Sequence, residues 1–280
     1  MKVVLTIAGS DSSGGAGIQA DLRAISANGG FGATVIAAVT AQSTRGVVLA
    51  RALPVALVEA QLDAVFGDMP VAAVKSGMLG NARVVRAVAA RLRRYAPAFY
   101  VLDPVLLSSS GHRLLDEGAV AALRKELFPL ATLLTPNAHE AEALTGLRVR
   151  SLRDAEEAGR RLLDDGPRAV LVKGGHLRDG RATDILVTRR GVHVIPGEWI
   201  DTPHTHGTGC TYSAAIATHL ARGRRLRDAV TLAKAYVTEA IRGGFPVGHG
   251  AGPTDHFFYL RRADLSAWVR RLRLRGSRWE

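Results

Sequence analysis

The feature that most constrains the fold is a repeated alternation of short apolar runs with amphipathic segments. Six runs of strand length, each closed by polar or glycine residues, are VVLTIAG, ATVIAAVTA, VAAVKSG, FYVLDPV, ATLLTPN and AVLVKGG. Most are followed by a segment of helical periodicity, such as NARVVRAVAARLRRY. This alternation is typical of βαβ units, in which helices cover both faces of a mostly parallel sheet. The sequence therefore predicts a three-layer α/β fold.

The later part of the chain departs from this alternation. Residues 181–199 favour a meander of shorter strands, and two long helices are predicted near 208–222 and 226–242. No linker, low-complexity stretch or repeat divides the chain, so we predict one domain over residues 1–280 with a basic helical tail from about 264. In open parallel sheets, ligands bind beyond the carboxyl ends of the strands. The glycine-rich and polar turns of this chain fall at those ends.

Composition limits the size of the core and the cellular location expected for this chain. With 280 residues and 47% hydrophobic content, the chain can bury a sizeable core. A single cysteine excludes an internal disulfide, and no secretory signal or apolar run of transmembrane length is present. We therefore expect no membrane association and a reducing, cytoplasmic location.

The positive charge raises nucleic acid as a partner. The formal net charge is +12, and residues 256–280 carry seven arginines against Asp264 and Glu280. A basic interaction tail is one interpretation, and a compositional habit rich in Arg, Ala and Leu is the other. The chain has no RNP, KH, helix-turn-helix or zinc motif, and nucleic-acid binding would leave its ordered glycine turns unexplained. These observations disfavour a nucleic-acid-binding protein.

Four turns carry candidate chemistry, and each also has a structural explanation. The turn AGSDSSGGAGIQAD lets a flat ligand or a phosphate approach the main chain, or is simply capped by Ser and Asp. Asp103 ends a buried strand and can face Mg²⁺ or cap the turn. Glu140 lies in the first turn of a predicted helix, where the helix dipole favours an acid. Lys173, beside two glycines, suits phosphate contact or an ordinary surface.

The segment GTGC, residues 207–210, is more specific. At a helix N-terminus the first backbone N–H groups are unpaired and the dipole is positive. Gly207, Thr208, Gly209 and Cys210 can therefore form a cradle for the charge that develops on a transferred phosphoryl group. The same field should lower the pKa of Cys210 and make it a proton acceptor. The alternative is a small buried cysteine that packs in the first turn.

The ordered motifs together resemble one enzyme family. AGSDSSGGAGIQAD, VTAQST, KSGMLG, LDPV, TPNAHEAE, VKGGH, THGTGCTYSAAIA and GHGAGPTDHF run in order from about residue 3 to 258. This set resembles the hydroxymethylpyrimidine and phosphomethylpyrimidine kinases of thiamine biosynthesis, within the ribokinase superfamily. The resemblance implies a ribokinase-like fold and an enzyme that uses ATP and Mg²⁺. It also implies phosphorylation of 4-amino-5-hydroxymethyl-2-methylpyrimidine, and then of its monophosphate, to the pyrophosphate.

The resemblance also implies site residues and partners. The pyrimidine site would be formed by Gly9, Asp21, Gln42, Met78 and Val105. The metal side would use Asp103 and Glu140, the ATP side Lys173, Thr208 and Gly209, and catalysis Cys210 with Gly207, Gly209 and Lys173. The partners implied are the pyrimidine and ATP, and a homodimer is expected.

Departures from the family pattern leave alternatives open. His204 stands where Asn is frequent before THGTGC, and SSSGH at 108–112 is an uncommon version of its loop. Pyridoxal kinases of the same superfamily share the fold, and some also carry the GTGC cysteine, although Gln42 with Met78 favours a pyrimidine. A catalytically silent regulator is disfavoured because every candidate catalytic position is filled.

Overall fold

The computed structural model describes residues 1–106, 117–175, 177 and 181–260. The sequence features at 108–112, at His176 and in the basic tail from 264 lie outside these residues. The strands of the described part are β1 (Lys2–Asp11), β2 (Gly30–Ser43), β3 (Gly46–Ala52), β4 (Val71–Ser76), β5 (Tyr100–Leu102), β6 (Leu133–Leu134), β7 (Ala169–Val172), β8 (Asp184–Thr188) and β9 (Gly191–Ile195).

Helices connect most of these strands. They are α1 (Gly17–Ala27), α2 (Val55–Asp68), α3 (Ala82–Tyr95), α4 (Glu117–Ala122), α5 (Ala138–Thr145), α6 (Leu152–Asp164), α7 (Thr208–Ala221) and α8 (Leu226–Arg242). A π-helical turn and a 3₁₀ turn extend the chain from α4 to residue 130. None of the helices in these ranges is long and apolar enough to cross a membrane.

The strands form one sheet in the order β3-β2-β1-β4-β5-β6-β7-β8-β9. The six strands from β2 to β7 in this order run parallel, as expected from the βαβ alternation. Antiparallel strands close both edges, β3 beside β2 and the β8–β9 hairpin beside β7. The predicted meander over 181–199 is thus confirmed, whereas the β2–β3 hairpin is not foreseen by the sequence analysis.

Two hydrophobic layers hold the helices against the sheet. The larger core joins side chains of α2 to α6 to one face, and the second joins those of α1, α7 and α8 to the other. Apolar side chains of the central strands, such as Leu5 and Val101, are fully buried because helices cover both faces. The predicted three-layer α/β architecture is confirmed.

Local sequence explains where several helices begin. The Asn81 side chain accepts hydrogen bonds from two amides at the start of α3. Asn137 with Glu140, and Ser151 with Asp154, form capping boxes for α5 and α6. In contrast, no side chain caps the first amides of α1 or α7. The starts of α2 and α8 also lack a side-chain cap, but those of α1 and α7 lie beside each other, where Gly207 approaches the Gly15 backbone.

Candidate active site

The carboxyl ends of the parallel strands open into a cavity of 1310 Å³. Residues from β1, β2, β5 and β7, or just beyond them, line it together with the start of α7. Because parallel strands end at the same edge, residues far apart in sequence meet here. The cavity wall includes Gly9, Gln42, Met78, Asp103, Val105, Glu140, Lys173, Gly207, Thr208, Gly209 and Cys210, which are all the predicted site residues except Asp21.

The start of α7 forms one wall of this cavity. Gly207 precedes the helix in the left-handed conformation, with φ of 80°, which favours glycine. A side chain here would also overlap the backbone of Gly15 in the β1–α1 turn. Thr208, Gly209 and Cys210 follow in the first helical turn, whose amides lack a side-chain cap. This geometry agrees with the anion cradle predicted from the GTGC segment.

Lys173 and Asp103 form an ion pair beside this cradle. The Nζ atom of Lys173 lies 2.8 Å from Oδ1 of Asp103, and a Cβ atom placed on Gly209 would lie 3.3 Å from the same Nζ. Thr135 donates a second hydrogen bond to Oδ1 of Asp103. Burial opposes the charge of Asp103, but Lys173 and the buried Lys75 hold the pKa of its carboxyl below the ordinary value. Asp103 is therefore ionised at neutral pH.

Glu140 is a second carboxylate on the same wall. It closes the capping box of α5 by accepting the amide hydrogen of Asn137 at 2.8 Å, so its structural explanation holds as well. Burial raises the pKa of Glu140 to about 7, and it outweighs the opposing charge of Lys173; repulsion from Asp103 adds a smaller upward contribution. A cation placed near Glu140 and Asp103 would relieve this cost.

These carboxylates fit a magnesium–nucleotide site. Within the described ranges, no group of three or more His, Cys, Asp or Glu side chains could hold a metal ion by itself. Mg²⁺ is commonly held by one or two carboxylates together with substrate phosphates and water. Asp103 and Glu140 supply that donor chemistry next to Lys173, whose charge suits phosphate oxygens. The predicted role of both carboxylates is consistent with the geometry and stays a proposal.

Cys210 lies on the cavity wall, but its pKa is not lowered. Its side chain is partly exposed, and the hydrogen bond from the Gly17 amide and the charge of Lys75 both favour the thiolate. Burial outweighs them, assisted by the negative charges of Asp21 and Asp103, and raises the pKa of the thiol to about 11. The prediction of a lowered pKa is therefore wrong, because desolvation at this position exceeds the effect of the helix N-terminus.

The opposite part of the cavity is largely apolar. Met78 and Val105 line it, as predicted, and a Cβ atom on Gly9 would lie 3.2 Å from the terminal methyl carbon of Met78. Gly9 thus leaves the space that Met78 occupies. Gln42, at the end of β2, adds a carboxamide to this wall. A flat heterocycle that carries ring nitrogens matches such a pocket.

Asp21 does not reach the cavity. Its carboxylate is fully buried, with Nζ of Lys75 at 2.8 Å and the Thr6 hydroxyl at 2.6 Å. The predicted contact of Asp21 with the pyrimidine therefore stays a prediction, and Asp21 is not brought together with the other predicted site residues on the cavity wall. The reason is that Lys75, also fully buried, needs a counter-ion, and Asp21 supplies it from α1.

Three residues at or beneath the site were not singled out by the sequence analysis. Asp11 caps the β1–α1 turn by accepting the amide hydrogens of Ser13 and Ala16, which confirms the capping explanation of that turn. His206 lies 2.9 Å from Asp11 and joins this turn to the GTGC segment. Lys75 is an ionisable residue inside the apolar run VAAVKSG, and that anomaly is the signal that could have revealed it.

His204, the departure noted in the sequence, lies apart from these residues. Its Nδ1 atom accepts the Gly252 amide hydrogen at 3.2 Å. It therefore supports the late GHGAGP loop and is not part of the cavity wall described above.

Comparisons with known sequences agree with this geometry. The phosphomethylpyrimidine kinase family model matches residues 11–255. The chain is 50% identical over 253 residues to the thiamine biosynthesis bifunctional protein ThiED of Geobacter sulfurreducens, covering 90% of this chain and 52% of that protein. It is 46% identical to the hydroxymethylpyrimidine/phosphomethylpyrimidine kinase of Synechococcus elongatus, covering 93% of this chain and 99% of that one.

Solved structures give the same result. The phosphomethylpyrimidine kinase of Clostridium difficile is 45% identical, with a TM-score of 0.77, and covers 86% of this chain and 100% of that one. An ADP complex of Bacillus subtilis pyridoxal kinase has a TM-score of 0.87 at 35% identity, covering 94% of this chain and 100% of that one. A ribokinase-like vitamin-kinase fold is thus shared with both. Because the family model matches residues 11–255 and the Synechococcus kinase aligns with 93% of the chain, the chain belongs to the phosphomethylpyrimidine kinase family.

Proposed function

We propose that this protein transfers the terminal phosphoryl group of ATP to the hydroxymethyl group of 4-amino-5-hydroxymethyl-2-methylpyrimidine. A second transfer, to the monophosphate, gives the pyrophosphate used in thiamine biosynthesis. The observation that carries the proposal is that one cavity joins an uncapped helix N-terminus and the Lys173–Asp103 pair to the apolar wall of Met78 and Val105. Family membership supports the same reaction.

The phosphate half of the cavity supplies charge stabilisation. The amides of Gly207, Gly209 and Cys210 would donate hydrogen bonds to the transferred group, whereas that of Thr208 already donates to the Thr205 carbonyl. Lys173 contacts phosphate oxygens after exchanging its partner Asp103 for them. Thr208 and Gly209 line the nucleotide side. Because the transition state of phosphoryl transfer is loose, alignment and charge stabilisation contribute more than a strong base.

Mg²⁺ would be held by Asp103 and Glu140. When bound, it neutralises the charge on the phosphates of ATP. Glu140 would lose its proton as the ion binds, and Asp103 would remain ionised beside Lys173.

The heterocycle half positions the alcohol. Met78 and Val105 pack on the ring, Gly9 leaves space for Met78, and Gln42 pairs with polar atoms of the pyrimidine. We place the hydroxymethyl group near Cys210. With its high pKa, the thiol is protonated at neutral pH and cannot take up a further proton, so we assign it the alignment of the hydroxyl. As the new O–P bond forms, the hydroxyl proton passes to an oxygen of the transferred phosphoryl group.

Substitutions of Cys210 test this role. Misplacement of a reacting group can cost about 10²-fold in rate, so Cys210→Ala should lose turnover to about that extent while nucleotide binding persists. Cys210→Ser should retain a hydroxyl for alignment and fall between Ala and the wild type. Cys210→Asp should retain more activity than Ala, since it supplies a carboxylate. Wild-type turnover in the Ala variant, with an unchanged Tm, would remove Cys210 from the mechanism.

The reaction itself is tested by phosphorus NMR of the purified protein with ATP, Mg²⁺ and the hydroxymethylpyrimidine. We expect the monophosphate first and the pyrophosphate later. The B. subtilis structural relative is a pyridoxal kinase, so pyridoxal is assayed in parallel. Phosphorylation of pyridoxal with no pyrimidine product would replace the proposal with that second activity. A homodimer and a cytoplasmic location stay predictions.

A further inference from the structure

A hydrogen-bonded cluster links the pyrimidine wall to the start of α7. The carboxamide of Gln42 lies between His206 and Thr40, with its nitrogen 3.3 Å from Nε2 of His206 and its oxygen 3.1 Å from Oγ1 of Thr40. The same Nε2 atom lies 2.9 Å from Oδ2 of Asp11. Gln42 lines the cavity, so whatever sets its orientation also sets what the cavity offers to a ligand.

Asp11 fixes the proton of His206. The pKa of Asp11 is lowered to about 2, since burial is outweighed by hydrogen bonds from His206, Ser13 and Ala16, so its carboxylate only accepts. Nε2 of His206 must therefore carry a hydrogen, whether the ring is neutral or charged. The ring is also confined, because a Cβ atom on Gly15 would overlap it. The one hydrogen on Nε2 is directed at Asp11, and Gln42, 3.3 Å from the same nitrogen, can share it as the second acceptor of a three-centre hydrogen bond.

A fixed donor distinguishes the two orientations of the carboxamide. With the Gln42 nitrogen toward His206, two donors face each other. Turned by 180°, the carbonyl oxygen shares the Nε2–H of His206 with Asp11, and the NH₂ group donates to Thr40, whose hydroxyl donates in turn to the Ser10 carbonyl at 3.0 Å. Only the turned orientation gives every donor in this hydrogen-bonded cluster an acceptor.

We propose that His206, held by Asp11, is a positioning residue that orients the Gln42 carboxamide and so sets the hydrogen-bond pattern that the cavity offers to the heterocyclic alcohol. The inference rests on the proposed function, in which Gln42 contacts the pyrimidine. In the turned orientation the carbonyl and the NH₂ group each keep one free position. They complement an exocyclic amine beside a ring nitrogen, and the reversed order does not.

Two variants of nearly equal size separate positioning from packing. His206→Gln can place an N–H near the position of Nε2, whereas His206→Met has similar length and no donor. We expect Met to raise the KM of the pyrimidine by about 5- to 100-fold with the KM of ATP within about 2-fold of the wild type. Gln should restore most of the loss. Equal losses in both variants, or a loss confined to ATP, would overturn the inference.

A double variant tests whether His206 acts through Gln42. Gln42→Ala should itself raise the KM of the pyrimidine by about 5- to 100-fold, because a hydrogen-bond partner is lost. In that background, His206→Met should add less than about 2-fold. Full additivity of the two substitutions would show that His206 acts independently of Gln42 and would contradict the proposal.

Calorimetric binding of the pyrimidine to the same proteins keeps this inference separate from the proposed reaction. If the wild type binds the pyrimidine and does not phosphorylate it, the proposed function fails, and the His206 comparison is made on Kd. In that case Met should weaken binding and Gln should restore it. If the wild type does not bind the pyrimidine at all, the inference is overturned as well.

Discussion

Two of the lysine–aspartate pairs at this end of the sheet differ in access. Lys75 and Asp21 are both fully buried beneath the cavity, with an N–O distance of 2.8 Å. Lys173 and Asp103 meet at the same distance, but Lys173 keeps 13% of its side chain exposed on the cavity wall. The sealed pair can exchange neither partner for a ligand, whereas the open pair can. Similar chemistry thus serves the fold in one place and the reaction in the other.

Charge balance explains the sealed pair. Burial disfavours the charge of Lys75, yet the carboxylate of Asp21 and, to a lesser extent, that of Asp103 raise its pKa above the ordinary value. A buried pair of this kind adds little net stability, but removal of one partner is costly. The open pair is less constrained, because a phosphate can replace Asp103 beside Lys173, and water or a cation can replace Lys173 beside Asp103.

The largest expected effect is on the sealed pair. Lys75→Met leaves Asp21 buried without a counter-ion, which should lower the free energy of unfolding by about 3–5 kcal/mol, measured by urea denaturation. The double variant Lys75→Met with Asp21→Leu replaces both charges by apolar groups and should recover most of the loss. A single variant within about 1 kcal/mol of the wild type would refute this account of the pair.

The next effect concerns the open pair. Lys173→Met removes a charge aimed at the phosphates and should lower kcat by about 10²- to 10³-fold. Its effect on unfolding should be smaller than that of Lys75→Met, since Asp103 keeps its hydrogen bond from Thr135 and reaches the cavity. Turnover and urea denaturation are compared for the two variants. If both lose stability equally, the contrast between the pairs is wrong.

The third prediction concerns Glu140, beside the open pair, and uses the pH dependence of the free energy of unfolding. The pKa of Glu140 is raised from 4.5 to about 7 in the folded protein, so its contribution to stability is present below pH 4.5 and is lost as the pH rises through 7. Without Mg²⁺, the wild type should lose about 3 kcal/mol over this range relative to Glu140→Gln. Gln at this position can still complete the capping box of α5.

Denaturation of both proteins at several pH values between 4 and 8 measures this difference, and Mg²⁺ with ADP should reduce it. Parallel curves for the two proteins would show that Glu140 does not titrate in this range. The sealed pair should make no contribution to the difference, because both proteins contain it.

The smallest effect comes from the two threonines that serve these pairs. Thr6 donates to Asp21 at 2.6 Å and Thr135 donates to Asp103 at 3.0 Å, so Thr6→Val and Thr135→Val form a matched test. Each should cost about 1–3 kcal/mol, because a hydrogen bond to a charged group is lost. For Thr6 the loss should appear only in unfolding, whereas for Thr135 part of it should appear in the KM of ATP. If both variants lose stability and ATP affinity in the same proportion, the contrast between the sealed and the open pair is wrong.

The fold was largely predictable because its signal is local and repeated. Each βαβ unit contains its own apolar run and its own amphipathic segment, so the parallel sheet could be predicted from local patterns. The predicted helices at 208–222 and 226–242 correspond to α7 and α8. The β2–β3 hairpin is less visible. Residues 46–52 are exposed or only partly buried at the sheet edge, and they lack the continuous apolar pattern of the central strands.

The site was predictable as a set of turns, but not in its electrostatics. The sequence alone does not distinguish the surroundings of Asp21 from those of Asp103. Asp21 is sealed because its partner Lys75 is fully buried, whereas the partner of Asp103, Lys173, is partly exposed. The pKa of Cys210 depends on desolvation by residues from several elements, which the local GTGC pattern does not record. The motifs therefore predict which residues are candidates for the site, but the tertiary surroundings determine the ionisation and the role of each one.

The bond between Asp11 and His206 has a consequence for synthesis of the chain, because its partners are 195 residues apart in sequence. Translation at about 5–20 residues per second separates the emergence of the two by roughly 10 to 40 s. During that time the β1–α1 turn exists without the helix start that completes the cavity. The cavity is then among the last parts to be assembled, and its ligands can stabilise only a chain whose synthesis has passed α7.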